Sequence, residues 1–344
     1  MVFQGCYTAM ITPVTSNREV DYEGLKTFVE YQVEGGVAGL LVMGTTGESA
    51  TMSWDEHEKV IEEVHSYIGG RVVTIAGTGS NSTAEALKGT AFASKIGVEA
   101  ALLVDPYYNG PSSLEIRREY VEPIARRFPQ MEFIPYVIPG RTGCQLFPQD
   151  LAILHTTMGN VNAVKEATGD LKNMALTRRL CGDDFAILSG DDDKTYEMMA
   201  SPEIKANGVI SVISNIVPGA VQKMVERWLA GDPQEASAIA KALDPLFKIV
   251  TVRTEEPTAY GPRLVRARNP LPCKTLMNVL GMPSGPCWQP LGKMTAAGLK
   301  IVLDAARAVY EATPWVLEPV EAFFAVDLQE RLYTEKYWQD LHYA

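Results

Sequence analysis

The sequence predicts a (β/α)8 barrel, a TIM barrel, with a C-terminal helical extension. Three observations carry this. Eight short apolar runs rich in β-branched residues recur between residue 5 and about residue 230. Each is followed by a segment whose apolar residues have helical spacing. The runs end in Gly, Thr, Asp or Pro, which stop a strand and open a turn. Buried strands alternating with helices imply parallel βαβ units, and eight in succession imply closure. The alternative is an open doubly wound sheet, which calls for a glycine-rich phosphate turn after the first strand. That turn reads Ile11-Thr12-Pro13-Val14 and does not fit.

The runs predict strands at 6–12, 39–44, 72–77, 100–105, 132–138, 161–167, 185–190 and 208–213. Helices are expected near 21–35, 53–67, 82–96, 112–127, 147–157, 170–180, 192–200 and 216–230. Ser53 and Glu56 have capping-box spacing, and Ser82 or Thr83 suits the next helix start. Beyond residue 230 the alternation stops, which divides the chain into a barrel, 1–230, and a C-terminal helical region, 231–344. Helical patterns there cover 232–250, 272–281 and 294–312. A Pro- and Arg-rich stretch near 251–270 carries Arg253, Arg263, Arg266 and Arg268. The tail 313–344 is rich in aromatic residues, so it is expected to pack on the barrel or on another subunit.

Bulk properties exclude several classes. The net charge of -11 argues against nucleic acid or an anionic membrane as the main partner. It leaves anionic small substrates open, because local basic residues decide those. The five cysteines are scattered without a C-x-x-C pair, against a disulfide framework or zinc site. They fit a reducing compartment. Met1-Val2-Phe3-Gln4-Gly5 leads into a strand-like segment with no signal-peptide pattern, and no run of eighteen apolar residues occurs. A cytoplasmic location is expected.

In a barrel of this kind the chemistry sits at the C-terminal ends of the strands. The sixth run, Val161-Asn162-Ala163-Val164-Lys165-Glu166-Ala167, places a lysine inside an apolar strand. Alternation sends Val164 and Lys165 to opposite faces. If Lys165 points inward, burial lowers its pKa toward neutrality and leaves a nucleophilic amine. The strand alone does not separate this from a structural lysine paired with a carboxylate. The second run ends in Gly44-Thr45-Thr46-Gly47-Glu48, whose hydroxyls and close backbone suit a carboxylate, or merely a turn. The fourth ends in Asp105-Pro106-Tyr107-Tyr108-Asn109, and the fifth carries Tyr136-Val137-Ile138-Pro139-Gly140-Arg141. Tyrosine there relays protons or packs, and arginine can clamp a carboxylate with two parallel bonds.

Together these motifs resemble the dihydrodipicolinate synthase and N-acetylneuraminate lyase family of class I aldolases, over residues 3–312. Thr45-Thr46 and Arg141 are similar to the synthase branch. The resemblance implies a lyase of lysine biosynthesis that condenses pyruvate with L-aspartate 4-semialdehyde, without metal or organic cofactor. Lys165 would form the Schiff base and Tyr136 would shuttle protons. Thr45 would link Tyr136 to Tyr108, which would reach into a neighbouring copy's site. Thr46 would hold the pyruvate carboxylate and Arg141 that of the aldehyde, with Gly44 and the backbone around Ile210 facing substrate. A dimer would be the minimum unit and a homotetramer the assembly. A feedback site for lysine would involve Ser49, Ala50, Trp54, His57, Asn81, Glu85 and Tyr107, or Trp54 and His57 would simply pack an interface. Three departures stand out: Val137 where the family has Asn, the insertion near 251–270, and the tail. They keep open a related aldolase acting on a keto-deoxy sugar acid, sialic acid or hydroxylated keto acid. A non-catalytic sensor of amino or keto acids is the reading from another class.

Overall fold

A computed structural model describes residues 3–343. Met1, Val2 and Ala344, at the ends of the expected divisions, lie outside the described residues. Eight parallel strands close into a barrel in chain order: β1 (Gly5–Ala9), β2 (Gly39–Val42), β3 (Val73–Gly77), β4 (Ala100–Val104), β5 (Glu132–Val137), β6 (Ala163–Glu166), β7 (Ala186–Ser189) and β8 (Gly208–Ser211). Closure sets Gly5 opposite Gly208 and Tyr7 opposite Ile210. Every residue of β1, β2, β6, β7 and β8 is buried, as expected of parallel strands covered on both faces. The apolar runs overshoot the strands at their C-terminal ends. Thr12, Gly44, Asp105 and Ala167 fall past the last strand residue, where a site can use them.

Helices follow the strands, among them Tyr22–Glu34, Trp54–Ile68, Thr83–Lys95, Pro148–Thr157, Leu171–Cys181 and Pro218–Leu229. Two local expectations are corrected. At Ser53 the side chain accepts from the Glu56 N–H, but the Glu56 carboxylate takes the Ser53 hydroxyl at 3.4 Å; the reciprocal capping box forms instead at Ser112 and Glu115. The helix expected over 112–127 is a helical turn (Ser113–Glu115), a π-helical stretch (Ile116–Val121) and a short α-helix (Glu122–Arg127). Pro123 offers no N–H to the Glu119 carbonyl, which accepts from the Thr83 hydroxyl at 2.9 Å. Among the described residues no helix is long and apolar enough to cross a membrane. All five cysteines are buried thiols.

The chain divides into two compact units. The first holds the residues up to Thr8, Val37–Gly44 and Ser53–Ser211, and so nearly all of the strand ladder. The second holds Ala9–Gly36, Thr45–Met52 and the residues from Val212 on. In the second unit, helices Pro233–Phe247, Leu271–Leu280 and Ala296–Ala312 occupy the three expected positions. The Arg-rich insertion is an antiparallel hairpin, β9 (Thr251–Glu256) and β10 (Arg263–Arg268). The aromatic tail is folded. Phe323 and Phe324 pack on the Tyr31 ring at 5.1 and 4.9 Å, and Arg331 donates to the carbonyls of Val279 and Asn278 at the end of helix Leu271–Leu280.

Candidate active site

Strand β6 contributes Lys165. It pairs with Tyr136 on β5 and Leu188 on β7, and directly paired residues share a face of the sheet. Lys165 is only 4% exposed, and its Nζ lies 4.2 Å from the centre of the Tyr136 ring. Burial lowers the Lys165 pKa to about 8; Asp191 and Asp192 pull it back up, and Arg141 pushes it down. Burial also raises the Tyr136 hydroxyl above its usual value, against the pull of Arg141. Arg141 is exposed in the helical turn Pro139–Thr142 after β5, close enough for its charge to act on Lys165, Tyr136 and Asp191. Lys165, Tyr136 and Arg141, all expected from the sequence, therefore share one electrostatic environment.

Two features around Lys165 are not among the residues expected from the sequence. The first is Gly190, after β7. A Cβ there would meet the Ala167 Cβ at 2.8 Å and Cε of Lys165 at 3.3 Å, so glycine leaves the lysine stem its room. The second is Asp191-Asp192. Asp191 is raised to about 6 by burial and by Asp193, while Lys165 and Arg141 oppose the rise. Asp192 is buried and accepts the hydroxyl of Ser211 from β8. Gly-Asp-Asp at the end of the seventh run was readable by the same strand-end rule applied to the others.

Next to Lys165, Glu166 is buried and raised to about 7 by that burial. It accepts from the Thr168 N–H at 2.8 Å and the Asn173 amide at 3.1 Å, which fixes the turn after β6. Asp105, at the end of β4, is raised to about 8 by complete burial and accepts from the Leu146 N–H at 2.9 Å. Ile210 is buried in β8, and Val137 is buried in β5 with its carbonyl accepting from Ala167. Gly44 is buried just past β2.

Tyr108 stands apart. Its side chain is 90% exposed, and its φ of 82° is rare for a residue with a side chain. Its N–H donates to the Thr142 carbonyl at 3.3 Å. Trp54 stacks on buried His57 with ring centres 4.6 Å apart, and His57 Nε2 contacts the Gly77 carbonyl at 2.7 Å. Glu85 accepts from the Ser80 hydroxyl at 2.6 Å. Burial and the Glu85 charge raise the Tyr107 hydroxyl, opposed by a hydrogen bond with the Asn81 backbone. Asn81, Glu85 and Tyr107 thus cluster in the first unit, with Asn81 and Glu85 exposed.

Thr45, Thr46, Ser49 and Ala50 belong to the second unit. Thr46 is buried and its hydroxyl accepts from the Asn269 amide at 2.9 Å. Glu48, which no motif assigns a role, pairs with buried Lys274 at 2.9 Å and accepts from the Trp288 N–H at 2.7 Å.

The model of the Dihydrodipicolinate synthetase family matches residues 2–308. The 4-hydroxy-tetrahydrodipicolinate synthase of Methanococcus maripaludis is 40% identical over 291 residues, covering 85% of this chain and 93% of the relative. The crystal structure of the DHDPS of Cyanidioschyzon merolae with lysine bound is 34% identical, with a TM-score of 0.81 over 89% of this chain and 98% of that one. The chloride-inhibited dihydrodipicolinate synthase of Acinetobacter baumannii, complexed with pyruvate, is 31% identical, with a TM-score of 0.80 over 89% of this chain and 98% of that one.

Proposed function

Because this chain belongs to the dihydrodipicolinate synthetase family, we propose that it condenses pyruvate with L-aspartate 4-semialdehyde to give 4-hydroxy-tetrahydrodipicolinate, through a Schiff base at Lys165. The observation that carries this is the buried Lys165 amine, lowered to about 8, over the Tyr136 ring. A substantial neutral fraction at physiological pH makes it a nucleophile.

The neutral Nζ adds to the keto carbon of pyruvate, and loss of water leaves an iminium. The iminium draws electrons from the methyl group, which loses a proton to become an enamine carbon. That carbon attacks the aldehyde of the second substrate. The amino group of the joined product then attacks the former keto carbon, closes the ring and releases Lys165. Each step moves a proton, and the hydroxyl of Tyr136, whose ring lies 4.2 Å from the amine, is the proposed carrier, with Thr45 next in the relay. Thr46 holds the pyruvate carboxylate, and Gly44 and the Ile210 backbone border it. Arg141 clamps the carboxylate of the aldehyde; its own exposure and the action of its charge on Lys165 support that role.

Tyr108 completes the site of a neighbouring copy, making a dimer the smallest active unit and a tetramer the assembly, in the cytoplasm. Its 90% exposure and uncommon backbone favour a side chain held out for a partner. Lysine is the proposed feedback ligand of Ser49, Ala50, Trp54, His57, Asn81, Glu85 and Tyr107. The relative with lysine bound and the exposed polar groups of Asn81 and Glu85 support this.

Incubation with pyruvate and borohydride should leave a reduced adduct at Lys165, located by mass spectrometry. No adduct there rules out the Schiff-base reading. Turnover of aspartate semialdehyde is then compared with a panel of keto-deoxy acids. Processing of the panel alone assigns the chain to the related aldolases instead. Replacing Arg141 should abolish use of the semialdehyde and spare pyruvate capture.

A further inference from the structure

The hairpin β9–β10 carries an imbalance of charge that its own pairing does not relieve. Cross-strand partners share a face, and on one face the pairs are Glu255 with Leu264, Arg253 with Arg266, and Thr251 with Arg268. Two arginines, Arg253 and Arg266, stand directly opposite each other, beside one carboxylate. Arg253, Glu255 and Arg266 are exposed, and Leu264 is 68% exposed. The other face is the one that packs. Val252 is buried, a Cβ at Gly298 would meet it at 3.7 Å, and the Thr254 hydroxyl meets that of Thr295 at 3.2 Å. On that face Arg263 opposes Glu256 and holds its carboxyl below the usual range, after the hydrogen bonds from Thr295 and Thr254. One arginine is therefore answered within the hairpin, while Arg253 and Arg266 repel each other.

The base of the hairpin is tied to the proposed carboxylate-binding residue. Asn269 follows β10 directly, its N–H donates to the Val250 carbonyl at 2.9 Å, and its amide donates to the Thr46 hydroxyl at 2.9 Å. The chain as a whole has a net charge of -11, which repels carboxylates, yet both proposed substrates are carboxylates. A local cationic face overcomes such repulsion by focusing the field.

We propose that the face bearing Arg253 and Arg266 is an electrostatic collector for the anionic keto-acid and aldehyde substrates, raising their local concentration at Thr46. This rests on the reading of Thr46 as the residue that holds the pyruvate carboxylate.

The test measures the rate of borohydride trapping at Lys165 with limiting pyruvate, and kcat/KM, at ionic strengths of about 0.02 M and about 0.5 M, where screening of exposed charges is weak and strong. The double variant R253Q/R266Q is expected to lose about three- to tenfold in both at low ionic strength, and to converge with the parent at high ionic strength. The variant R263Q, on the packed face, should follow the parent. Equal rates for parent and double variant at low ionic strength overturn the proposal, as does a loss that persists in salt or one that R263Q reproduces. Any of these with a normal Lys165 adduct leaves the Schiff-base reading standing. Absence of the adduct in the parent overturns both.

Discussion

Nζ of Lys165 stands 4.2 Å from the centre of the Tyr136 ring, and the two residues are direct partners across β5 and β6. The significance of that placement emerges beside Lys274, the other buried lysine among the described residues. Lys274 donates to the Thr12 carbonyl at 3.1 Å, to the Glu48 carboxylate at 2.9 Å and to the Pro286 carbonyl at 2.8 Å. All three ammonium protons have acceptors, so this lysine is a structural cation. Lys165 instead faces an aromatic ring, with Asp191 and Asp192 too weak to offset its burial. A lysine held that way gives up its proton more readily.

The displaced pKa has a stability consequence with a definite sign. Between about 8 and the ordinary value of 10.5, the unfolded chain holds a proton at Lys165 that the folded one has released. Wild-type stability should therefore rise with pH across that window, and below it the full penalty applies. Lys165→Met removes the buried charge. It should abolish activity and raise stability at pH 7 by on the order of 3 kcal/mol. Asp191 loses an attraction at the same time, so the gain should fall somewhat short of that. Denaturant unfolding at pH 7 and pH 10 checks this; a variant less stable at pH 7 would contradict it.

Tyr136→Phe separates packing from proton transfer. The ring over Lys165 remains, so the amine keeps its environment and pyruvate trapping should persist. The hydroxyl is lost, and kcat for the complete condensation should drop by about 100- to 1,000-fold. Comparing single-turnover trapping with steady-state turnover distinguishes the two. Equal losses in both would mean that Tyr136 acts on capture itself.

The barrel was legible because its strands are buried on both faces and therefore read as continuous apolar runs. Lys165 was legible for the same reason, as a lone cation inside such a run. What could not be read was whatever depends on register between distant strands. Asp191 and Asp192 are no such case: they end the run next to that of Lys165, and β7 pairs with β6 so that Leu188 stands opposite Lys165. Glu48 and Lys274 are 226 positions apart, and no local pattern announces their ion pair. The π-helical break before Pro123 is another case, since a proline near a helix end is normally tolerated. The Arg-rich insertion displayed its composition, but the facing of Arg253 and Arg266 required the hairpin register.

The Glu48–Lys274 pair gives a prediction for the second unit. Both side chains are 1% exposed, so removing one charge leaves the other buried and unanswered. In Glu48→Gln the amide oxygen can keep the Trp288 N–H, which turns the amide NH2 toward the ammonium. The loss should be about 3–5 kcal/mol. The double variant E48Q/K274M should be more stable than E48Q alone, because the orphaned charge is gone. Unfolding of the four members of this cycle measures the coupling, and additive losses would show that the pair is not coupled.

Asp105 provides the opposite pH dependence. Its Oδ2 accepts from the Leu146 N–H at 2.9 Å, and its Oδ1 has no hydrogen-bond partner among the described residues. Burial raises its pKa to about 8, with the Leu146 bond opposing and the Glu166 charge adding to the rise. The folded protein thus keeps a proton at Asp105 at neutral pH that the unfolded chain has lost. Its contribution is fully present below about 3.8 and is lost as pH rises to about 8. Asp105→Asn mimics the protonated acid in shape and neutrality, with its carbonyl left to receive the Leu146 N–H. Subtracting the wild-type stability curve from the variant curve cancels the other carboxylates. The difference should climb steadily from pH 4 to pH 8, reaching on the order of a few kcal/mol in favour of the variant. Parallel curves would mean that Asp105 is ionised in the folded protein and that a group near β4 compensates its charge.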